Sequence, residues 1–260
     1  MKIAIIGGGN LGKSIAQGLL EHKFEANNIT VTRNKIELLA DLKDQGIQVD
    51  NNNVKAAKNA QVIIIAVKPY KITEVLQSIN PVITADKIIV SVVSDYSIAQ
   101  IEEQLKNAPA IIRAMPNTAA SVNESMTCLT SNNATHEDMS VVTTIFNSLG
   151  ETIEINETLM DAATVLGACG IAYVLRFMRG MIQGGIEIGF DAQTATQIAT
   201  QTVKGASELL LQKNNHPEAE IDKVTTPKGC TIAGLNEMEH QGFSSALIKG
   251  IKTSFDSISK

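Results

Sequence analysis

The sequence predicts an α/β fold: an N-terminal parallel-sheet domain over residues 1–156, followed by an all-helical domain over 157–260. Three observations carry this. Short β-type runs alternate with amphipathic helical segments through the first half, the pattern of a parallel sheet covered by helices on both faces. A glycine-rich turn joins the first run to the first helix. After about residue 157 the β-type runs disappear, and only helical periodicity remains.

The elements follow in order. Lys2–Ile6 is the first strand, and a helix spans 11–22 beyond the glycines. Further strands are Ile29–Thr32, Val62–Val67, Ile88–Val92 and Ile111–Ala114, with helices near 35–44, 71–79 and 98–106. Ser97 and Gln100 form a capping-box pattern at the last of these. A weaker β–α–β stretch covers 126–130, 136–148 and 151–155. In the second half Asp191 is a candidate cap, as is Ser244, with Phe243 and Ile248 as its hydrophobic staple. The segment Leu159–Ile188 is apolar on nearly all sides, and such a helix must be buried all round. A domain of about 100 residues offers little interior for it, so a partner subunit is expected, as a homodimer or an oligomer of dimers. Gly180, Gly184 and Gly185 would let helices approach closely.

Composition excludes several classes. A net charge of −5 lacks the basic excess of a nucleic-acid or anionic-membrane binder. Cys128, Cys169 and Cys230 are scattered and odd in number, and the four histidines have no ligand spacing. No metal site and no disulfide framework is expected, and a reducing cytoplasm is the simplest compartment. The apolar stretch near 160–190 carries Arg176, Arg179 and Glu187, which counts against a membrane span.

Gly7-Gly8-Gly9-Asn10-Leu11-Gly12 is a G-x-G-x-x-G turn between a strand and a helix, the dinucleotide-binding arrangement of a Rossmann-like domain. Gly7 permits the tight turn, Gly9 lets the backbone approach a pyrophosphate, and Gly12 lets helix and strand pack closely. The helix N-terminus then offers its amides and positive dipole end to the phosphates. NAD enzymes usually carry Asp or Glu at the end of the second strand, to hold the ribose 2′-hydroxyl. Here the strand runs into Thr32-Arg33-Asn34, with no carboxylate. A 2′-phosphate suits these donors, so NADPH is the expected cofactor and NADH the alternative.

Late in the chain, Thr225 or Thr226 is a candidate cap and Pro227 suits a first helical position. Gly229 would let the backbone come close to a ligand. This reads as a turn opening a helix, and hence a place for an anion such as a carboxylate. Cys230 beside it has no histidine partner in sequence and reads as a small apolar wall residue.

Ala66-Val67-Lys68-Pro69 and Met115-Pro116-Asn117 both stand at carboxyl ends of strands, where open α/β sheets bind ligands. Together with the glycine turn and the segment from Thr226 through Thr231-Ile232-Ala233-Gly234-Leu235, they resemble the pyrroline-5-carboxylate reductase family. The resemblance covers nearly the whole chain. It implies an NAD(P)H-dependent oxidoreductase acting on CH–NH groups, which reduces 1-pyrroline-5-carboxylate to proline in proline biosynthesis. It also implies a helical domain that interlocks with a second subunit. By resemblance Asn53 contacts the cofactor, Ala66, Val67, Lys68 and Pro69 line the nicotinamide side, and Met115, Pro116 and Asn117 match the loop after the sixth strand. Thr226, Gly229, Cys230 and Thr231 fall in the substrate segment, with the Thr231 hydroxyl toward the substrate nitrogen. The chain departs from the family pattern in three places. Lys228 stands where glycine is usual, Val92-Val93-Ser94-Asp95 replaces an Ala-Ala-Gly turn, and Ala168-Cys169-Gly170-Ile171 replaces Gly-Ser-Gly-Pro.

Reducing a C=N bond needs hydride on carbon and a proton on nitrogen. A hydroxyl beside the nitrogen and good positioning suffice, without a catalytic histidine or carboxylate dyad. Two other readings stand beside this one. A reductase of another imine or of a 2-hydroxyacid has the same architecture, but the latter would want a lysine on the long helix, and 157–188 contains none. A non-catalytic relative would bind NADP(H) as a sensor or scaffold.

Overall fold

The computed structural model describes residues 1–258. The chain forms two compact units, Met1–Cys169 and Gly170–Ile258. The sequence reading divides it at 156/157. The compact division falls later because turns beyond Glu157 are tied to the sheet by side-chain bonds from β6, described below.

The first unit contains β1 (Ile3–Ile6), α1 (Asn10–Glu21), β2 (Ile29–Thr32), α2 (Ala40–Asp44), β3 (Gln48–Asp50), α3 (Asn53–Asn59), β4 (Val62–Ile65) and α4 (Ile72–Ile79). It continues with β5 (Ile88–Ser91), α5 (Ile98–Glu102), β6 (Ala110–Met115), β7 (Ser125–Ser131), α6 (His136–Asn147), β8 (Gly150–Glu154), α7 (Met160–Ala163) and a π-type segment, Thr164–Cys169. Among the described residues the eight strands form one sheet in the order β3-β2-β1-β4-β5-β6-β7-β8. Pairing is parallel throughout except between β6 and β7. The order reverses between β1 and β4, which makes that edge the topological switch point where such sheets bind ligands.

The strands explain their own placement. Ile3 and Ile5 of β1 and Val62 and Ile64 of β4 enter one core with α1, α2 and α6, around Ile15, Leu19, Leu42 and Phe146. Their alternating neighbours Ala4, Ile6, Ile63 and Ile65 enter a second core with α3, α4 and α5, around Ala57, Leu76, Ile79 and Ile101. Both faces are therefore covered, and β1 and β4 are apolar at every position rather than at alternate ones. Each fully buried isoleucine or leucine contributes about 1.5–3 kcal/mol of transfer free energy.

Three differences from the sequence reading have physical causes. The parallel expectation fails at β7, because the link from β6 is too short for a crossover and must return antiparallel. β3 and α3 were absent from the predicted elements; Gln48–Asp50 is a short polar strand at the sheet edge. The helix expected over 98–106 ends at Glu102, ahead of Ala108 at φ 44° and Pro109.

The second unit contains α8 (Gly170–Glu187), α9 (Ala192–Lys213), α10 (Pro217–Lys223), α11 (Cys230–His240) and α12 (Phe243–Ile258). Asp191 caps α9, accepting from the backbone of Gln193 and Thr194. Ser244 does not cap α12: it lies inside the helix and donates to Glu239, while the Gly242 carbonyl accepts the first helical bond. Gly185 lets α8 approach Ala195 of α9, whereas Gly180 and Gly184 face open space. Tyr173 donates to Ser254, tying α8 to α12. Leu175 and Ile188 remain 58 % and 78 % exposed. By length and composition alone, Glu157–Glu187 is long and apolar enough to cross a membrane.

Candidate active site

The glycine turn is shaped by its neighbours. Gly7 has φ +114°, and a Cβ there would overlap the Ala66 carbonyl; one on Gly12 would overlap the Gly7 carbonyl. Gly9 differs: nothing stands within 4 Å of where its Cβ would be. The first two positions are thus fixed by packing, and the third keeps the backbone accessible. Gly7 and Gly8 both donate their amides to the Thr32 carbonyl, at 3.2 and 2.7 Å, which locks the turn to the end of β2. Helix α1 starts at Asn10 with no side-chain cap and no acidic residue in its first turn. Its amides and dipole therefore face outward without a protein counter-charge, as an anion requires.

The end of β2 carries the predicted ribose side. Arg33 is half-buried and donates from Nη1 to the Gly8 carbonyl at 2.7 Å, which holds the guanidinium against the turn. Thr32 donates from Oγ1 to Asn53 Oδ1 at 2.6 Å, so Asn53, the first residue of α3, is positioned by β2. Asn34 is exposed beside them. The neighbouring carboxylate is Asp50, whose backbone carbonyl accepts from the Arg33 amide. Its side chain is turned to Lys55 Nζ at 2.7 Å and to the amides of Asn51 and Asn52. The Lys55 hydrogen bond holds its carboxyl below the usual carboxylate range. A 2′-phosphate at this edge would thus meet Arg33 and no unpaired carboxylate from Asp50.

The remaining loops lie along the same sheet edge. After β4, Ala66 and Val67 are half-buried, while Lys68 and Pro69 are exposed. After β6, Met115, Pro116 and Asn117 are buried. Between them stands Val92–Asp95, with the Val92 amide bonded to the Ile65 carbonyl at 3.1 Å and Asp95 in left-handed backbone at φ 57°. The sequence reading noted this turn as a departure and assigned it no role; the strand order puts it in the middle of the edge. It also missed Lys87, a buried lysine that donates from Nζ to the carbonyls of Ala57, Lys58 and Ala60. Burial pushes this ammonium's pKa down. Its role is to cap the end of α3, the helix whose start carries Asn53.

In the second unit, Thr226 to Gly229 forms a tight turn closed by the Gly229 amide on the Thr226 carbonyl at 2.9 Å. The helix begins at Cys230, so Pro227 is a turn residue and not the first helical one. Neither Thr225 nor Thr226 caps it: Gly229 occupies the cap position, without a side-chain bond. Thr225 donates instead to the Ile221 carbonyl. Lys228 adopts φ 60°, the left-handed conformation that glycine takes without cost. A Cβ on Gly229 would press on Thr226 Oγ1 at 2.5 Å, which explains the glycine. Thr231 is the second residue of α11 and half-buried, and Cys230 is exposed.

Comparison with known proteins decides the family. A profile described as pyrroline-5-carboxylate reductase dimerisation matches residues 157–260, and one described as NADP oxidoreductase, coenzyme F420-dependent, matches residues 2–95. Pyrroline-5-carboxylate reductase 2 of Dictyostelium discoideum is 43 % identical over 99 % of this chain and 92 % of its own length. The chain belongs to the pyrroline-5-carboxylate reductase family. Pyrroline-5-carboxylate reductase 1 of the same organism is 47 % identical over 98 % of this chain, which spans 48 % of that longer relative. Among solved structures, the Plasmodium falciparum pyrroline carboxylate reductase with NADP bound is 27 % identical, with a TM-score of 0.90. The alignment covers 99 % of this chain and 97 % of that one. The family and the α/β-plus-helical fold expected from the sequence are therefore both found.

Proposed function

We propose that the protein reduces 1-pyrroline-5-carboxylate to proline with NADPH, as a cytoplasmic homodimer or an oligomer of dimers. The observation that carries this is the sheet edge. It has an accessible glycine turn at Gly9, a β2 end bearing Arg33 with its neighbouring carboxylate already paired, and the family's loops at β4 and β6 in line with them. The profile matches and the identity to named reductases support the same reading.

The amides of Asn10 and Leu11 take the pyrophosphate, with Gly9, its own amide spent on the Gly7 carbonyl, letting it approach and Gly7 and Gly12 shaping the turn. Arg33, Asn34 and Asn53 hold the adenosine ribose and its phosphate; Thr32, expected from the sequence to join them, is buried with its hydroxyl given to Asn53, and so positions Asn53 instead. Ala66, Val67, Lys68 and Pro69, with Met115 and Pro116, border the nicotinamide end. NADPH, when bound, would supply the hydride that the imine carbon accepts, and a proton taken up from solvent by the imine nitrogen balances it, so that NADP⁺ and proline are the products. Thr226, Gly229 and Cys230 border the substrate, and the start of α11 faces its carboxylate. The Thr231 hydroxyl hydrogen-bonds the ring nitrogen. Removing one such positioned group costs on the order of 10²-fold in turnover. Thr231→Ala is expected to lose about that in kcat, with NADPH affinity nearly unchanged. An unaltered rate would remove Thr231 from the mechanism.

The apolar face of α8 supports the dimer: Val174, Leu175 and Ile186 are exposed in the single chain, within the span matched by the dimerisation profile.

The test is NADPH oxidation at 340 nm on adding pyrroline-5-carboxylate, with proline quantified as product. Tight NADPH binding without turnover would favour the sensor reading; turnover only with other imines would move the substrate within the same reaction class.

A further inference from the structure

We infer that Asn117 is a positioning residue, bracing the end of β6 to the π-type segment Thr164–Cys169, and not a cofactor ligand. The inference deepens the reductase reading and rests on it for its kinetic consequence.

The side chain is 8 % exposed, and its polar atoms are all engaged by protein. Asn117 Oδ1 accepts from the Ala119 amide at 3.0 Å, capping the turn that follows β6. That bond fixes the orientation of the amide, because only the oxygen can accept. Nδ2 then points at the Gly167 carbonyl, 3.3 Å away and fifty residues along the chain. The backbone amide of Asn117 donates to Ser125 Oγ at 3.0 Å, which closes the loop onto β7. A buried side chain whose oxygen and nitrogen each hold a different stretch of backbone is suited to bracing the two together.

A second link runs parallel to the first. Arg113, in β6 and 5 % exposed, donates from Nη1 to Glu157 Oε1 at 3.0 Å. The same carboxylate oxygen accepts from the Ile98 amide at 2.8 Å, at the start of α5. Arg113 Nε is buried without a partner, so Glu157 carries the compensation for that charge. β6 and its outgoing loop are thus tied twice to the run that follows β8: Arg113 to Glu157, and Asn117 to Gly167. Met115 and Pro116 lie between the two ties. They border the nicotinamide end, where hydride transfer depends on distance at the level of about 1 Å.

Asn117→Asp tests this selectively. The aspartate keeps an oxygen for the Ala119 amide and replaces the Gly167 donor with an oxygen that repels a carbonyl. NADPH affinity, measured by fluorescence titration, is expected to stay within about twofold of wild type. Amide exchange in 164–169 is expected to accelerate several-fold, and kcat to fall about tenfold or more at unchanged NADPH KM. Glu157→Gln, a milder weakening of the other tie, should shift kcat in the same direction by less, again without loss of NADPH affinity. The double variant should lose less than the product of the two single losses. A tenfold weaker NADPH complex in Asn117→Asp would overturn the inference, making Asn117 a ligand. Unchanged exchange in 164–169 or an unchanged kcat would overturn it as well. Should the wild-type protein fail to reduce pyrroline-5-carboxylate, the substrate reading falls separately, and affinity and exchange still decide the brace.

Discussion

The two units solve the burial problem in opposite ways. The sheet unit buries isoleucine, leucine and valine on both faces of its strands, with Phe146, Ile5 and Ile64 fully enclosed. Among the described residues of the helical unit the buried hydrophobic ones are Ala195 and Ala199, while Leu175, Ile188, Leu211 and Ile248 stand open. One unit encloses its apolar residues, and the other leaves most of its large ones exposed in the single chain. In the family reading, that division separates the two halves of the chemistry. On the proposed function, the cofactor end falls in the sheet unit and the substrate turn in the helical unit.

Breaking each unit should therefore look different. Phe146→Ala removes the largest fully buried side chain and is expected to cost about 3–5 kcal/mol. Its melting temperature should fall at every protein concentration, as read by calorimetry. Leu175→Asp puts a charge on the exposed face of α8. It should weaken self-association by about 2–4 kcal/mol, seen as a concentration-dependent loss of dimer in analytical ultracentrifugation. A variant as dimeric as wild type would break the comparison. Arg33→Ala leaves both interiors untouched and should raise the KM for NADPH roughly 10-fold to 100-fold while sparing NADH. Equal effects on both cofactors would remove the 2′-phosphate from Arg33. Smallest, Thr135→Ala deletes one side of the capping box of α6 and should cost about 1 kcal/mol in denaturant unfolding.

What the sequence made legible follows the same division. β2 was readable to the residue and β1 to within one, because their apolar runs are closed by glycines or polar turns. The cofactor turn was readable because its spacing is local and each glycine has a steric cause. β3 was not, since Gln48–Asp50 has neither length nor hydrophobicity to mark it. The direction of β7 was recoverable from its short link to β6, a signal the alternating pattern obscured. A turn before a helix was legible at Thr226–Gly229 and its detail was not: Pro227 suits either a helix start or a turn, and only backbone geometry tells them apart. The ties from Arg113 and Asn117 to Glu157 and Gly167 join residues more than forty positions apart, and no local pattern announces them.

The most direct test of the central claim follows the hydride itself. NADPH deuterated at the transferable position of the nicotinamide ring should be mixed with the protein and pyrroline-5-carboxylate, and the product examined by mass spectrometry. The account predicts proline carrying one deuterium on the former imine carbon, in step with NADPH consumed. Unlabelled proline, or NADPH consumed without proline formed, would contradict it.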